Sequence, residues 1–515
     1  IEIIKREFKL FNFKDLFVLD MANNHQGDVN HGLNIIREAS EIVKKNNVRG
    51  AIKFQFRQLD SFIHKDFRKN PKEKHLIRFQ STEMSHKDYQ KLYDEVSKNK
   101  LYSICTPFDE KSVDLIEKMK FDIIKVASCS AKDWPLLEKI SQTDLPIIIS
   151  TGGLDINNID HLVSFFKHRN CQFALMHCVA LYPTPDNEFY LNQIDLLKKR
   201  YPGIEIGWST HENPDELFPA AIALAKGATL LERHIGKPTD KITLNAYSSN
   251  KDQLDNWIKA AKKTITICGR GKREINEKEI ESLNSLKRGI YLNNDVEIGK
   301  ELKKDDVYFA MPYQKDQIES GNWREGIIVK SNLKAHNPLS NKDVEIKDEP
   351  DYLIIKKAIH EVKGMLAEAN IILNSEFEVE YSHHYGVKKF KQFGVVIINI
   401  INRDYCKKIL VQLPNQVHPP QYHKLKEETF QVLSGSLVVN LDGKEKLLYP
   451  GDTCLILPGV WHSFTTETGC IFEEISTTHF TNDSVYKDKK INEMKTSERK
   501  TKVNHWGRYE IKEYL

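Results

Sequence analysis

The sequence predicts an α/β fold that opens with a (β/α)8 TIM barrel and ends in an all-β jelly roll. Eight short apolar strand candidates occupy the first 235 residues, helix-like stretches separate most of them, and from about residue 375 only short strands and turns recur. Strands spaced by about 30 residues with helices between them are typical of this barrel. The candidates are Phe17–Ala22, Ala51–Phe56, Leu101–Cys105, Ile123–Ala127, Pro146–Ser150, Phe173–Cys178, Ile204–Trp208 and Thr229–His234.

Nearly every strand candidate is followed by a charged or hydrogen-bonding residue. The active sites of TIM barrels lie at the carboxyl ends of the strands. A strand end that serves only the fold has no need of such side chains, so the pattern indicates a functional site. The residues are Asp20, Lys53, Gln55, Thr106, Lys125, Ser128, Ser150, Ser209, His211, Glu232 and His234.

The remaining elements follow in chain order. The helix candidate DQLDNWIKAAKKTITICG closes a predicted barrel domain of residues 1–270, and a polar linker follows. Residues 286–346 alternate short apolar runs with Gly and Pro, which predicts a small β-rich domain. A helical connector over 350–374 precedes the jelly roll of the cupin type, residues 375–480. The tail, residues 481–515, contains KDKKINEMKTSERKTK, which predicts a solvated surface segment.

Composition excludes several classes of protein. A chain of 515 residues is too long for one core, so two to four domains are expected. The net charge of +4 and the lack of a dense basic run argue against nucleic acid as a partner. We expect neither a signal peptide nor a membrane span, because no 18-residue apolar run occurs. The eight scattered cysteines form no C-x-x-C pair and predict reduced thiols in a cytoplasmic protein.

Eight stretches of the predicted barrel resemble the sialic acid synthase family and follow the family's order across most of residues 15–260. The family condenses phosphoenolpyruvate with an N-acylhexosamine. The resemblance therefore implies an aldol-type condensation of phosphoenolpyruvate with an open-chain aldose, giving a 2-keto-3-deoxy sugar acid and phosphate. The stretches are VLDMANNHQGD, AIKFQF, SICTPFD, IIKVASCS, IISTGG, LMHCVALYPTP, GIEIGWSTHE and LLERHI.

The small domain, residues 286–346, resembles the antifreeze-like SAF domain that follows the barrel in this family. There the SAF domain caps the barrel of the other subunit. The resemblance thus implies a homodimer.

A pocket for phosphoenolpyruvate needs cations and hydroxyl donors, because this substrate carries a phosphate and a carboxylate. A lysine buried without an anionic partner is costly, so lysines on barrel strands point to a bound anion. Each serine or threonine taken alone could instead cap a strand end. The resemblance assigns Gln55 and Tyr182 to the sugar, and to phosphoenolpyruvate Lys53, Thr106, Lys125, Ser128, Ser150 and Ser209.

Two imidazoles at neighbouring strand ends suit a divalent ion such as Mn²⁺. The resemblance assigns His211 and His234 to the metal that polarises the sugar aldehyde. In the same centre, Glu232 would orient a ligand or move a proton, and Asp20 would act as general base or orient the metal.

The chain departs from the family on the sugar side. Asp20 replaces the family's Glu, Ser130 replaces an acidic residue, and Ala180 replaces an Asn. The SAF arginine that contacts the N-acyl group is replaced within Ala310–Pro312. These changes indicate the same reaction with an acceptor that lacks the N-acyl group; the alternative is a catalytically inert relic.

The C-terminal domain resembles a metal-binding cupin of the D-lyxose isomerase type. His423, Glu428 and Gly435 follow the spacing H-x4-E-x6-G within HPPQYHKLKEETFQVLSG, and His462 lies in PGDTCLILPGVWHSF. Gln421 stands where the first histidine is usual, so Gln421 or His418 would supply a fourth ligand to a divalent ion of unknown identity. Sugar contacts and a base are expected from Lys426, Glu473 and Glu474.

Three hypotheses cover the whole chain. The first is a bifunctional enzyme in which a cupin isomerase or epimerase feeds the barrel synthase. The second is a synthase whose cupin only binds sugar or dimerises. The third is a sugar-binding protein without turnover at either site.

Overall fold

The computed structural model describes residues 10–69, 71–269, 271, 273–346, 349–373, 377–480 and 482–504. The chain divides into two compact units, with the boundary between Glu274 and Ile275. Among the helices described, none combines the length and the apolar character that crossing a bilayer requires.

The first unit is a closed barrel of eight parallel strands in sequence order, which confirms the predicted TIM barrel. Its strands are β1 Leu16–Asp20, β2 Arg49–Phe56, β3 Tyr102–Pro107, β4 Ile123–Val126, β5 Ile147–Ser150, β6 Phe173–Cys178, β7 Glu205–Ser209 and β8 Leu230–His234. Its helices are α1 Val29–Asn46, α2 Leu59–Phe62, α3 Lys65–Arg68, α4 Lys74–Ser81, α5 His86–Lys98, α6 Glu110–Met119, α7 Trp134–Ser141, α8 Ile156–His168, α9 Asn192–Arg200, α10 Phe218–Ala225 and α11 Lys251–Cys268.

Alternate side chains of the barrel strands belong to two separate apolar cores. Phe17, Leu19 and Phe54 pack in one core together with residues of the surrounding helices. Val18 and Ala51 belong to the other, which contains strand residues and is joined by the segment preceding β1. Because successive strand residues face opposite sides of a sheet, the second core fills the barrel interior. Its apolar layers leave the carboxyl ends of the strands for polar side chains.

The second unit begins with α12 (Glu277–Asn284) and a small β-rich segment. That segment has its own apolar core, which includes Ile290, Leu302 and Val307. Its strands are β9 Gly289–Leu292, β10 Glu301–Leu302, β11 Val307–Ala310, β12 Ile327–Val329 and β13 Val344–Glu345.

After α13 (Asp351–Glu368) the chain forms two antiparallel sheets, which confirms the predicted all-β C-terminal domain. One sheet has seven strands in the order β21-β18-β23-β16-β15-β14-β25, and the other has five in the order β20-β19-β22-β17-β24. The strands are β14 Glu378–Ser382, β15 Val395–Asn402, β16 Tyr405–Gln412, β17 Val417–His423, β18 Glu428–Gly435, β19 Leu437–Leu441, β20 Lys444–Leu448, β21 Thr453–Ile456, β22 His462–Thr465, β23 Cys470–Thr477, β24 Ser484–Tyr486 and β25 Lys500–Asn504.

The predicted helical connector contributes to the packing of this domain. Ile355, Ile359 and Val362 of α13 share a core with Val379 and Val411 of the seven-stranded sheet. A separate core, which includes Phe430, Phe464 and Phe472, joins the two sheets.

The prediction of a solvated tail is wrong for residues 484–504. β24 pairs with β17, and β25 pairs with β14, so both sheets gain a strand from this segment. Between these strands lie the short helices α14 (Lys489–Glu493) and α15 (Thr496–Arg499). Ile491 and Val503 are buried although charged residues surround them in sequence, which explains why the charge pattern concealed them. Outside the described residues lie 481 and 505–515 of the predicted tail, 1–9, 70 and 270 of the predicted barrel domain, 374 of the predicted connector, and 375–376 of the predicted cupin domain.

Candidate functional site

The interior face of the barrel changes from apolar to polar within two residues on several strands. Strand side chains of the same face recur every second residue, so a polar residue two positions after an interior apolar residue also points inward. The carboxyl ends of parallel strands meet at one rim, which brings these groups together. The successions are Val18 to Asp20, Ala51 to Lys53, Ile123 to Lys125, Ile148 to Ser150, and Leu230 to Glu232.

Two ammonium groups and two carboxylates form one buried network at this rim. Lys53 Nζ lies 2.5 Å from Glu232 Oε1 and 3.0 Å from Asp20 Oδ2. Lys125 Nζ lies 3.3 Å from the other oxygen of Glu232 and 2.5 Å from Ser150 Oγ. The exposed fractions of Lys53 and Lys125 are only 5% and 2%, so each charge depends on its partners rather than on water.

The network shifts the pKa values of its members, and the two lysines shift in opposite directions. Burial raises the pKa of Glu232, but the ammonium groups of Lys125 and Lys53 outweigh that effect and keep the pKa of this carboxyl below its usual value. Burial lowers the pKa of Lys53, but Asp20 and Glu232 outweigh it and raise the pKa overall. For Lys125, burial and the neighbouring Lys53 prevail over Glu232, and the pKa falls.

The predicted hydroxyl donors lie at or just after the carboxyl ends of their strands, and one of them contacts a lysine. Ser150 contacts Lys125 directly, and Ser128 Oγ accepts a hydrogen bond from the Gly152 N–H at 3.0 Å. Ser209 is buried at the end of β7. Thr106 Oγ1 is buried with no hydrogen-bond partner among the described residues. An unpartnered buried hydroxyl fits a bound polar ligand.

The two histidines predicted for the metal are neighbours. Their ring centroids are 5.3 Å apart. His211 Nδ1 lies 2.9 Å from the carbonyl oxygen of Val179, which leaves Nε2 for a ligand, and His234 Nδ1 lies 3.3 Å from Asp20 Oδ2. Burial, and secondly His234, lowers the pKa of His211 to about 3, so this imidazole is neutral, the form that binds metal ions.

The donor set of the barrel therefore fits a divalent ion held by two imidazoles. In the described part of the barrel, these rings and Asp20 do not form a tight three-ligand group. Further positions on the ion would thus belong to water or substrate. The ring centroids of Tyr182 and His211 are 4.2 Å apart, and those of Tyr247 and His234 are 5.1 Å apart. Tyr247 was not among the residues predicted from the sequence.

Gln55 connects this centre with a neighbouring cavity. Its Nε2 lies 3.5 Å from Asp20 Oδ2, and its Oε1 accepts a hydrogen bond from Arg57 Nη2 at 3.1 Å. The cavity has a volume of about 350 Å³ and is lined by β2 and the segment up to α5. No motif in the sequence marks Arg57 as a site residue.

A second candidate site lies between the sheets of the cupin. The apolar core joining the sheets gives way to polar residues in two-residue steps, as in the barrel. The successions are Leu410 to Lys408, Phe430 to Glu428, Phe464 to His462, and Phe472 to Glu474. Strand register also pairs Gln421 with His462, and Lys408 with Glu474.

Four predicted ligands meet there. His423, Glu428 and His462 are buried and form the group of metal-binding side chains that the described residues contain. His462 Nε2 lies 3.1 Å from Glu428 Oε1 and 3.3 Å from Gln421 Nε2, and His423 Nε2 lies 3.5 Å from Glu428 Oε2. His423 Nε2 and Gln421 Oε1 are buried without a hydrogen-bond partner among the described atoms, so the donor set fits a divalent ion.

Of the two residues considered for the fourth ligand, Gln421 is the better placed. His418 stacks on Phe464 with ring centroids 4.3 Å apart and packs edge-on against His384. Gln421 contacts His462 directly. The geometry therefore favours Gln421.

Buried ion pairs stand beside these ligands. Lys426 Nζ lies 2.5 Å from Glu428 Oε2 and 2.9 Å from Glu474 Oε1, which also accepts from Lys408 at 3.1 Å. Burial raises the pKa of Glu428, but Lys426 and His462 outweigh it and hold the pKa well below the usual value. Glu473 pairs with Lys407 on the other face of the sheet, so the expectation that Glu473 serves this site is wrong.

Comparisons with known proteins agree with both units. The model of the NeuB family matches residues 43–273, and the model of the cupin domain matches residues 409–472. The spore coat polysaccharide biosynthesis protein SpsE of Bacillus subtilis is 28% identical, over 65% of this chain and 95% of its own. The N,N'-diacetyllegionaminic acid synthase of Campylobacter jejuni is 25% identical, over 62% of this chain and 99% of its own.

A solved structure provides the strongest of these comparisons. It comes from Chromobacterium violaceum and is described as spore coat polysaccharide biosynthesis protein E. The two chains are 42% identical, and the match covers 65% of this chain and 100% of the other with a TM-score of 0.63. Since a relative this similar is covered over its whole length and the family model matches the barrel, the chain belongs to the NeuB family.

Proposed function

We propose that the barrel unit condenses phosphoenolpyruvate with an open-chain aldose to give a 2-keto-3-deoxy sugar acid and phosphate. At the level of the family the chain is a synthase that condenses phosphoenolpyruvate with a sugar. The observation that carries the proposal is the pair of buried ammonium groups of Lys53 and Lys125, together with the unpartnered buried hydroxyl of Thr106 on the strand next to Lys53. These groups match the phosphate and carboxylate of phosphoenolpyruvate.

In the proposed reaction, the enol carbon of phosphoenolpyruvate forms a bond to the aldehyde carbon of the sugar. The bond-forming atom is the methylene carbon, C3, and the aldehyde oxygen takes up a proton to become a hydroxyl. Water then adds to the neighbouring carbon C2, which bears the phosphate oxygen and has become an oxocarbenium, and it loses a proton. Phosphate leaves as the bond between C2 and that oxygen breaks, and C2 becomes the keto carbon. Lys53 and Lys125 would turn from Glu232 toward the anionic substrate and hold it in reach of the aldehyde. Glu232, released from these two ammonium groups, would accept the proton lost by the attacking water, and Asp20 would orient His234.

His211 and His234 would hold the divalent ion of the barrel, for which we propose Mn²⁺. When bound, the ion supplies Lewis-acid polarisation of the aldehyde oxygen. The two imidazoles fit it because one is held neutral by burial and the other is oriented by Asp20.

Replacing both histidines tests that assignment. His211→Ala with His234→Ala is expected to abolish the stimulation of phosphate release by Mn²⁺, since both ligands are lost, while circular dichroism and phosphoenolpyruvate binding remain those of wild type. The matched control is His177→Ala, whose imidazole contacts the carbonyl oxygen of Phe189 instead. Full Mn²⁺ dependence in the double variant would place the ion elsewhere.

The direct test of the function is phosphate release from phosphoenolpyruvate with Mn²⁺ and a panel of aldoses. Mass spectrometry of the products would identify a sugar acid longer than its acceptor by three carbons. Release that requires an aldose supports the synthase. Aldose binding without release would support the sugar-binding protein or the inert relic instead.

We further propose an acceptor that lacks an N-acyl group and a homodimer in the cytoplasm in which the segment resembling the SAF domain caps the partner's barrel. In the family an arginine contacts the N-acyl group, and here that arginine is replaced within Ala310–Pro312. This replacement supports an acceptor without the N-acyl group. Equal turnover of matched acceptors with and without the N-acyl group would count against it. Sedimentation of the full chain tests the dimer.

For the cupin we propose a metal-dependent sugar isomerase or epimerase, in which Glu474 moves the proton. This carboxylate is buried beside the metal ligands, and it is bound by both Lys408 and Lys426. Burial raises the pKa of Glu474, but the two lysines outweigh it and lower the pKa to about 2, so the carboxylate is ionised at neutral pH, the form that a general base requires. Aldose–ketose interconversion without phosphoenolpyruvate distinguishes this activity from a cupin that only binds sugar.

The Gln421→His variant is expected to tighten metal binding in the cupin by roughly tenfold or more, because imidazole is a better ligand than a carboxamide for Mn²⁺, Fe²⁺ or Zn²⁺. The affinity is measured by calorimetric titration of the metal into protein that also carries His211→Ala and His234→Ala, so that only the cupin site binds the ion. Gln416→His is the control, since Gln416 is buried in hydrogen bonds to backbone atoms in the same domain. An unchanged affinity in Gln421→His would exclude residue 421 from the ion's coordination.

A further inference from the structure

Arg57 is a half-buried cation that has no role in the proposed chemistry. It follows β2 at the carboxyl end of the barrel, and its guanidinium carbon lies 4.0 Å from the ring centroid of Phe79 and 3.6 Å from that of Phe108. Its Nε is buried without a hydrogen-bond partner, and no carboxylate within the described ranges forms an ion pair with it. Removing a cation from water costs free energy unless an anion pairs with it.

The surroundings of Arg57 place that anion on the sugar side of the site. Arg57 lines the cavity of about 350 Å³ together with Gln55, Asn23 and Tyr89. Nη2 donates to Gln55, which in turn contacts Asp20 beside His234, so the cavity adjoins the proposed aldehyde position. Lys53 and Lys125, the cations proposed for phosphoenolpyruvate, do not line it.

Acidic residues at the cavity do not neutralise Arg57. Asp60 belongs to the lining but lies 3.7 Å from Arg68, and Glu83 makes no ion pair with Arg57 in the described structure. Burial lowers the pKa of Arg57 to about 10, which leaves the guanidinium charged at neutral pH. The two phenyl rings hold the guanidinium by cation–π contact and leave its nitrogens for a planar, bidentate partner.

We infer that Arg57 binds an anionic group, a carboxylate or a phosphate, carried by the acceptor aldose. This inference rests on the proposed synthase function and narrows its substrate class to acidic open-chain sugars. Arg57 is thus a specificity-determining residue: it would hold the far end of the acceptor while the aldehyde lies near His211 and His234. The geometry of a guanidinium fork suits both anions.

The test compares mannose with mannuronate and mannose 6-phosphate, first as ligands in calorimetry and then as acceptors in phosphate release. Full-length wild type is expected to prefer at least one anionic sugar over mannose by roughly 10- to 100-fold, the range of charge-assisted hydrogen bonds. Arg57→Met should remove that preference and leave the affinity for phosphoenolpyruvate unchanged. The relative affinities for mannuronate and mannose 6-phosphate decide between carboxylate and phosphate.

Arg49→Met is the matched control. Arg49 opens the same strand at the opposite end of the barrel, and its guanidinium also lies over two aromatic rings, Phe11 and Tyr102. The Arg49→Met variant loses the same charge and the same kind of cation–π contact, but it should still prefer an anionic sugar over mannose. If Arg57→Met folds poorly, Arg57→Gln takes its place.

The two hypotheses fail separately. Binding of an anionic sugar that depends on Arg57, without phosphate release from any aldose, would support the inference and contradict the synthase. Turnover of mannose equal to that of both anionic sugars, or an equal loss in Arg49→Met, would overturn the inference while the synthase stands. A fall in phosphoenolpyruvate affinity in Arg57→Met would also overturn it.

Discussion

The Lys53→Met variant is expected to lose phosphate release and to unfold more easily than wild type. In wild type the ammonium group of Lys53 lies 3.0 Å from Asp20 and 2.5 Å from Glu232, in a barrel interior nearly closed to water. Breaking a buried ion pair by removing one partner leaves an uncompensated charge and costs about 3–5 kcal/mol of the free energy of unfolding. Loss of the charge-assisted contact to phosphoenolpyruvate adds a fall in its affinity corresponding to about 1.5–3 kcal/mol.

Calorimetry of unfolding and of phosphoenolpyruvate binding separates the two effects. Lys53→Met combined with Glu232→Gln removes one unpaired carboxylate, so it should recover part of the stability but none of the turnover. Lys125→Met should lower phosphoenolpyruvate affinity in the same way, because Lys125 also pairs with Glu232. Phosphoenolpyruvate affinity equal to wild type in both lysine variants would contradict their assignment.

The barrel centre could be predicted from sequence because period-two alternation and parallel strands fix where its side chains go. Once β2 and β4 are recognised, Lys53 and Lys125 must point inward at the carboxyl rim. The same logic applies to Glu428 and His462 in the cupin, each two residues from an interior aromatic ring.

Features that depend on long-range packing escaped the sequence analysis. Arg57 acquires its setting from Phe79 of α4 and Phe108 after β3, and no local pattern announces that these rings meet. Glu473 and Glu474 are adjacent, and only the register of β23 decides which one faces the metal ligands. β25 was not predicted because its lysines resemble those of a solvated segment, although the strand pairs at the edge of the seven-stranded sheet.

The His462→Ala variant is expected to release the cupin ion and leave the barrel reaction intact. His462 is buried, and it contacts both Glu428 and Gln421, so its loss removes the ligand that joins the set. With saturating Mn²⁺, Fe²⁺ or Zn²⁺ the full chain should hold about two ions, one for each donor set that favours such metals. His462→Ala should hold about one ion fewer, and so should the His211→Ala and His234→Ala variant.

Metal analysis of these proteins after gel filtration provides the comparison, with His384→Ala as the control. His384 is a buried histidine of the same domain that packs on His418 and Tyr486 rather than on the ligands. Phosphate release should remain at the wild-type level in His462→Ala, because the barrel and the cupin have separate cores. If the variant without barrel histidines holds no ion at saturating metal, the cupin is a structural or sugar-binding module, since its buried donors then serve hydrogen bonds alone.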